Sequence, residues 1–238
     1  MKIKTVTITG ADNNTNISDM LEISKQYPFV EWGILFSPKR LGTDRYPDWN
    51  WLNKLSRNYS YDKIRLSAHL CGGYTREMLI GKTDLIDKPD IKHFLSLCSR
   101  AQLNFNSQKT EVNEKKFFDL LNCFLGGSFI FQFNKSNKNI CIKAMQEKIS
   151  NKISFLYDSS GGRGTLQSEW KEPISNFFTG YAGGLSPDNL ESELKKIEEA
   201  AGDSEIWIDT ESRVRTNEKL DMEKVKQFLE IASKYVNK

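Results

Sequence analysis

Apolar positions along the chain follow two alternating periods. Short apolar runs, or runs with every second residue apolar, recur at 6–10, 30–37, 64–70, 101–106, 128–134, 153–158, 176–182 and 205–210. Between them lie stretches whose apolar residues fall at helical spacing. These cover 17–25, 49–57, several pieces up to about residue 98, 114–124, 140–149, a short piece before Ser175, 187–200 and 221–235. The pattern predicts eight strand–helix units in 238 residues. A (β/α)8 barrel, typically of about 250 residues, accommodates that number. An open doubly wound sheet uses the same alternation and is the second candidate. No Ser/Pro/Gly-rich spacer or low-complexity tract interrupts the series, so one domain over 1–238 is expected.

Reading each strand in steps of two separates its faces. Polar residues collect near the C-terminal ends: Thr7 and Thr9, Ser67 and His69, Gln102 and Asn104, Gln132 and Asn134, then Asp158 and Asp209. A barrel interior built only for packing favours Val, Ile and Leu, whereas the upper inward layer meets the ligand. Taken singly, each of these residues fits a loop start or a helix cap. Together, on successive strands, they predict a polar cavity at the C-terminal mouth.

Composition narrows the class without naming the chemistry. The net charge of +3 is spread without a Lys/Arg run, so nucleic acid is not expected as a partner. No apolar run is long enough to cross a bilayer, and the first ten residues lack a signal-peptide core. Cys71, Cys98, Cys123 and Cys141 form no CxxC pair, which reads as reduced thiols in a cytoplasmic protein. His69 and Cys71 alone make a poor metal site, so neither metal nor cofactor is expected.

The segment Ala182-Gly183-Gly184-Leu185-Ser186-Pro187-Asp188-Asn189 carries the clearest ligand signal. Two glycines permit close backbone approach, and Ser186 or Asp188 with Pro187 predicts a helix start at once. Amides at such a start suit a phosphate. A second glycine-rich loop follows Asp158 and contains Gly162 and Arg163. The loop after the second strand mixes Arg40 and Arg45 with Tyr46, so cations and an aromatic face are expected at the same mouth. His69 precedes Gly72-Gly73 and reads either as a hydrogen-bonded structural histidine or as a general base, a phosphate donor or a ligand-orienting group. His93 reads as helix surface.

Several of these segments resemble phosphoribosylanthranilate isomerase, a (β/α)8 enzyme of tryptophan synthesis. Ala182-Gly183-Gly184-Leu185 with Pro187 and Asn189 is similar to its AGGLxPxN segment. Leu156-Tyr157-Asp158 with Gly161, Gly162, Gly164 and Trp170 resembles its LLD…GGTG…W run. Ala101-Gln102-Leu103-Asn104 resembles its VQLH strand, with Asn104 in place of His. The resemblance implies phosphate binding through Gly183, Gly184 and Ser212, and places Asp158 at the family's general acid. Thr9 stands where the family carries its Cys base, and a threonine hydroxyl is not a base near neutral pH. Arg213 and Arg215 stand in the eighth-strand loop where the family has a glycine and an acidic residue. With Arg163, these cations suit a more anionic ligand than a sugar monophosphate.

Two functional readings follow. The first is a binding protein for a phosphorylated ribose- or nucleotide-type small molecule, without the family's isomerisation, whose contacts include Thr9, Asn104 and Gln132 with the loop residues above. The second is an isomerase or lyase of a phosphorylated sugar or nucleotide, with Asp158 as acid and His69 as base.

Overall fold

A computed structural model describes residues 1–124, 127–147, 149, 152–158 and 164–236. Eight parallel strands close into a barrel in chain order, each bonded to its sequence neighbours and β8 returning to β1. They are β1 (Lys2–Thr9), β2 (Val30–Phe36), β3 (Leu66–Cys71), β4 (Arg100–Asn104), β5 (Ser128–Gln132), β6 (Ile153–Tyr157), β7 (Thr179–Tyr181) and β8 (Glu205–Thr210). The helices around them are α1 (Ile17–Gln26), α2 (Trp49–Arg57), α3 (Gly73–Leu79), α4 (Pro89–Ser96), α5 (Glu114–Cys123), α6 (Lys138–Gln146), α7 (Leu190–Ala201) and α8 (Met222–Val236). A hairpin of β9 (Arg215–Thr216) and β10 (Lys219–Leu220) follows β8. No helix among the described residues is long and apolar enough to cross a membrane.

Several ends shift by a few residues, with β1 starting at Lys2 rather than at residue 6, and three differences from the sequence reading go further. β7 holds three residues where seven were expected, and residues 164–178 contain no helix where a short one was expected before Ser175. Pro173 denies that stretch a backbone donor. Trp170 docks it instead, giving its indole N–H to Glu193 Oε2 at 2.8 Å and meeting the Tyr181 ring edge-on. The helix expected from residue 187 begins at Leu190. A turn over 186–189 precedes it, in which the Asn189 side chain accepts from Ser186 N and donates to Gly184 O.

The hydrophobic residues divide into two clusters. The larger fills the shell between barrel and helices; the smaller is only Ile130, Leu156, Ala182 and Trp207, with Phe178 against it. That inner cluster occupies the β5–β8 half of the interior. The β1–β4 half is polar, and its lower layer is a buried ion pair. Arg100 grips Glu31 through two bonds, Nη2–Oε1 at 2.6 Å and Nε–Oε2 at 3.0 Å. Thr7 donates to the same carboxylate, and the guanidinium lies 4.6 Å over the Trp207 ring. Gly180 is obligatory beside it, since a Cβ there would lie 2.1 Å from the indole. Thr7 and Ser67 thus lie below the mouth, in the supporting layer.

Candidate active site

The C-terminal mouth encloses a cavity of about 250 Å3. Parallel strands bring the inward residues of successive ends to one level, and His69 and Gln102 are direct partners across β3 and β4. Thr9, His69, Asn104, Gln132 and Asp158 all line the cavity, as do Arg40, Arg45 and Tyr46 from the β2–α2 loop. Gly183, Gly184, Ser212 and Arg213 close its other edge. Gly162 and Arg163 lie outside the described residues.

Arg215 does not line the cavity. Its guanidinium is buried against Asp12, Nη2–Oδ2 2.8 Å, and donates to the Gly10 carbonyl. The charge is consumed in joining the β1 and β8 loops. Arg45 faces the cavity but pairs with Glu211 at 2.7 Å. Its own amide donates to Asp12, which holds this non-glycine residue at φ +69°. Arg40 stacks over Tyr46 at 4.4 Å. Gly72 and Gly73 do not face a ligand; they start α3 and pack against Ser37 and Pro38. Asn134 falls beyond β5 and caps its own loop by accepting from Ser136 N and Asn137 N.

The glycine-lined edge is made by three loops meeting closely. Gly183 and Gly184 have φ of +105° and +72°. Among the described residues neither glycine amide donates to a backbone carbonyl. A Cβ on Gly164 would lie 2.0 Å from Ser212 Oγ, and Arg213 Nε donates to the Gly164 carbonyl at 3.1 Å. α7 starts at residue 190, beyond the glycines, and the edge is instead completed by Ser212 and Arg213, which open a short 3-10 helix over Ser212–Val214.

Carboxyl groups dominate the cavity's centre. Asp209 accepts from Thr9 Oγ1 at 3.0 Å, and Gln132 Nε2 donates to Asp158 Oδ2 at 3.1 Å. Burial, reinforced by the charges of Glu211 and Asp158, pushes the Asp209 carboxyl well above its ordinary range against the Thr9 bond. Burial also raises Glu211, opposed by Arg45. His69 moves the other way: burial, ahead of the opposing pull of Glu31, drops it to about 4. Its ring is therefore neutral at physiological pH and a weak base, which argues against the base role considered from the sequence. Cys71 is a thiol, pushed by burial to about 11.

Asp209, Glu211 and Cys71 are cavity residues beyond the set singled out for the ligand. A signal for them existed, because each continues its strand's inward period: Asp209 to Glu211 on β8, His69 to Cys71 on β3.

Asp209 carries a stability consequence. A carboxyl raised by folding contributes stability that is fully present below its unfolded value near 4 and is lost as pH rises toward the folded value. Asp209→Asn keeps an oxygen for Thr9 and removes that loss. The variant's melting temperature should exceed wild type by a few degrees at pH 8, about 2–4 °C per kcal/mol at this chain length, and by less at pH 5. Thermal denaturation at both values checks it; a gain independent of pH would contradict the burial argument.

No known protein-family profile matches the chain, and no curated protein sequence matches it. Solved structures do. Phosphoribosylanthranilate isomerase from Thermotoga maritima is similar over 98% of this chain and 99% of that one, with 18% identity and a TM-score of 0.59. N-(5'-phosphoribosyl)anthranilate isomerase from Pyrococcus furiosus is similar over 97% and 98%, at 14% identity and 0.57. The tryptophan synthase α subunit from Legionella pneumophila aligns over 98% and 93%, at 9% identity and 0.51. At these identities the likeness lies in the backbone: the chain has the TIM-barrel fold, with phosphoribosylanthranilate isomerases among the structures it is similar to.

Proposed function

We propose that this protein binds a phosphorylated small molecule of ribose or nucleotide type at the C-terminal mouth of the barrel. The observation that carries the reading is the meeting of Gly183, Gly184, Gly164, Ser212 and Arg213 at one edge of an otherwise polar cavity. Backbone amides beside left-handed glycines, with a guanidinium, match the charge and shape of a phosphate. At about 250 Å3 the cavity is smaller than the about 300–1,000 Å3 that encloses drug-sized ligands, which favours a compact molecule of ribose-phosphate size.

Acid–base turnover of the bound molecule is the second reading, and the three carboxyls favour it. A cavity that only stored an anion would gain from amides at Asp158, Asp209 and Glu211, since carboxylates repel phosphate. Burial and the charges of Glu211 and Asp158 raise the Asp209 carboxyl, the direction that suits a proton donor; Thr9 commits its hydroxyl proton to Asp209 and supplies no base.

Titration with inorganic phosphate, followed by calorimetry and by mass spectrometry of small molecules released on denaturation, tests the binding reading. Arg213→Ala should weaken phosphate binding about tenfold, the loss of one charge-assisted contact of about 1.4 kcal/mol. Unchanged affinity would overturn it. Asp158→Asn separates the two readings: turnover of a released compound should vanish while its affinity persists, whereas a storage protein shows no turnover to lose.

A further inference from the structure

The cavity floor lies opposite the phosphate edge and is built from two buried polar side chains on neighbouring strands. His69 is 1% exposed and Gln102 is 4% exposed. Among the described residues His69 Nε2 and Gln102 Oε1 have no hydrogen-bond partner. Gly33 makes room for the ring: a Cβ there would lie 2.9 Å from His69 Nε2 and 2.4 Å from Thr9 Oγ1. Buried groups of this kind are costly unless something completes them.

A relay fixes which end of Gln102 faces the floor. Asn104 gives its Nδ2 to Cys71 Sγ at 3.2 Å, so its Oδ1 is left to accept from Gln102 Nε2 at 2.8 Å. Gln102 therefore presents its carbonyl oxygen, an acceptor. A phosphate or carboxylate oxygen offers that acceptor no proton and is repelled by it. An alkyl or aromatic edge leaves it unpaired. A hydroxyl can both donate to Gln102 Oε1 and accept from a neutral His69 ring, so it is the group that suits both atoms.

We propose that this floor receives a hydroxyl of the ligand, which makes Gln102 and His69 specificity-determining residues for the uncharged portion of the phosphorylated molecule. The proposal rests on the phosphate reading above. Sites that pair buried polar groups with a substrate hydroxyl reject analogues lacking it far more strongly than apolar pockets discriminate by size.

Three phosphomonoesters with different tails test it: ribose 5-phosphate, n-pentyl phosphate and 2-phosphoglycolate, which has a carboxylate and no hydroxyl, each titrated calorimetrically beside inorganic phosphate. Ribose 5-phosphate should bind at least tenfold more tightly than the other two esters. Gln102→Met, nearly isosteric, should abolish that preference while leaving pentyl phosphate and inorganic phosphate unchanged. Gln102→Glu, which keeps an acceptor, should retain part of it, and His69→Phe should reduce it independently. Equal binding of the three esters, or a preference that survives Gln102→Met, overturns the floor assignment while leaving the phosphate site standing. Binding of no ester and no phosphate overturns both.

Discussion

Arg100→Met is expected to cost about 3–5 kcal/mol and to lower the melting temperature by roughly 10 °C or more. The substitution keeps an unbranched stem of apolar atoms but leaves Glu31, 3% exposed, without its cation inside the barrel. In the native protein burial alone would raise the Glu31 carboxyl; the Arg100 charge and the bonds from Arg100 and Thr7 outweigh it and hold the group below its ordinary value. A carboxyl depressed in this way contributes stability that is present above its unfolded value near 4 and is lost as pH falls through the folded one. In the variant burial, the largest influence, is opposed by the hydroxyls of Thr7 and Ser99 without the Arg100 charge, so the sign reverses and acid relieves the defect. Urea denaturation should therefore show a large gap between wild type and Arg100→Met at pH 7.5 that narrows near pH 4. The double variant Arg100→Met with Glu31→Met should recover most of the loss, because an apolar pair of similar volume avoids desolvation altogether. A double variant no more stable than the single one would show that the pair's damage does not come from a stranded charge.

That ion pair also marks where reading the chain stops short. Alternation made the barrel legible, since each strand needs one face against the helix shell and each helix one face against the strands. It also placed polar side chains at the mouth, because a two-residue period continued past the packed layer identifies inward positions at any strand end. What it could not supply was partnership across the barrel. Arg100 opens β4 like a solvated strand start, and only closure puts it against Glu31 and over Trp207. Arg215 looks like a ligand cation in the β8 loop until Asp12, two hundred positions earlier, neutralises it. His69 shows the same limit in chemistry: its position at the mouth was visible, but its basicity depends on burial that no local pattern records. The segment over residues 164–178 departs from the helical pattern for a simpler reason. Its apolar residues fit a helix, yet Trp170 and Gln167 fasten it as an extended loop, Gln167 Nε2 donating to Tyr157 O and Ala182 O.

Gly184→Ala should damage both fold and phosphate edge. The position has φ +72°, which costs an L-residue about 1–2 kcal/mol. Its Cβ would lie 2.4 Å from Leu166 N and 2.6 Å from Leu166 Cα, and backbone cannot rotate aside as a side chain can. The loop cannot simply withdraw either, because Gln167 pins it to β6 and β7 and Arg213 holds the Gly164 carbonyl. Strain and displacement together are expected to cost about 2–4 kcal/mol and to weaken phosphate binding more than tenfold. Gly202→Ala provides the contrast: it also lies at positive φ, +54°, but nothing stands within 4 Å of its added methyl. That variant should lose only the conformational part, about 1–3 kcal/mol, and bind phosphate like the parent. Calorimetric titration with phosphate beside chemical denaturation of both variants separates the two effects. Equal phosphate affinity in Gly184→Ala and Gly202→Ala would mean that the Gly183–Gly184 turn does not form the anion site, whatever it does for the barrel.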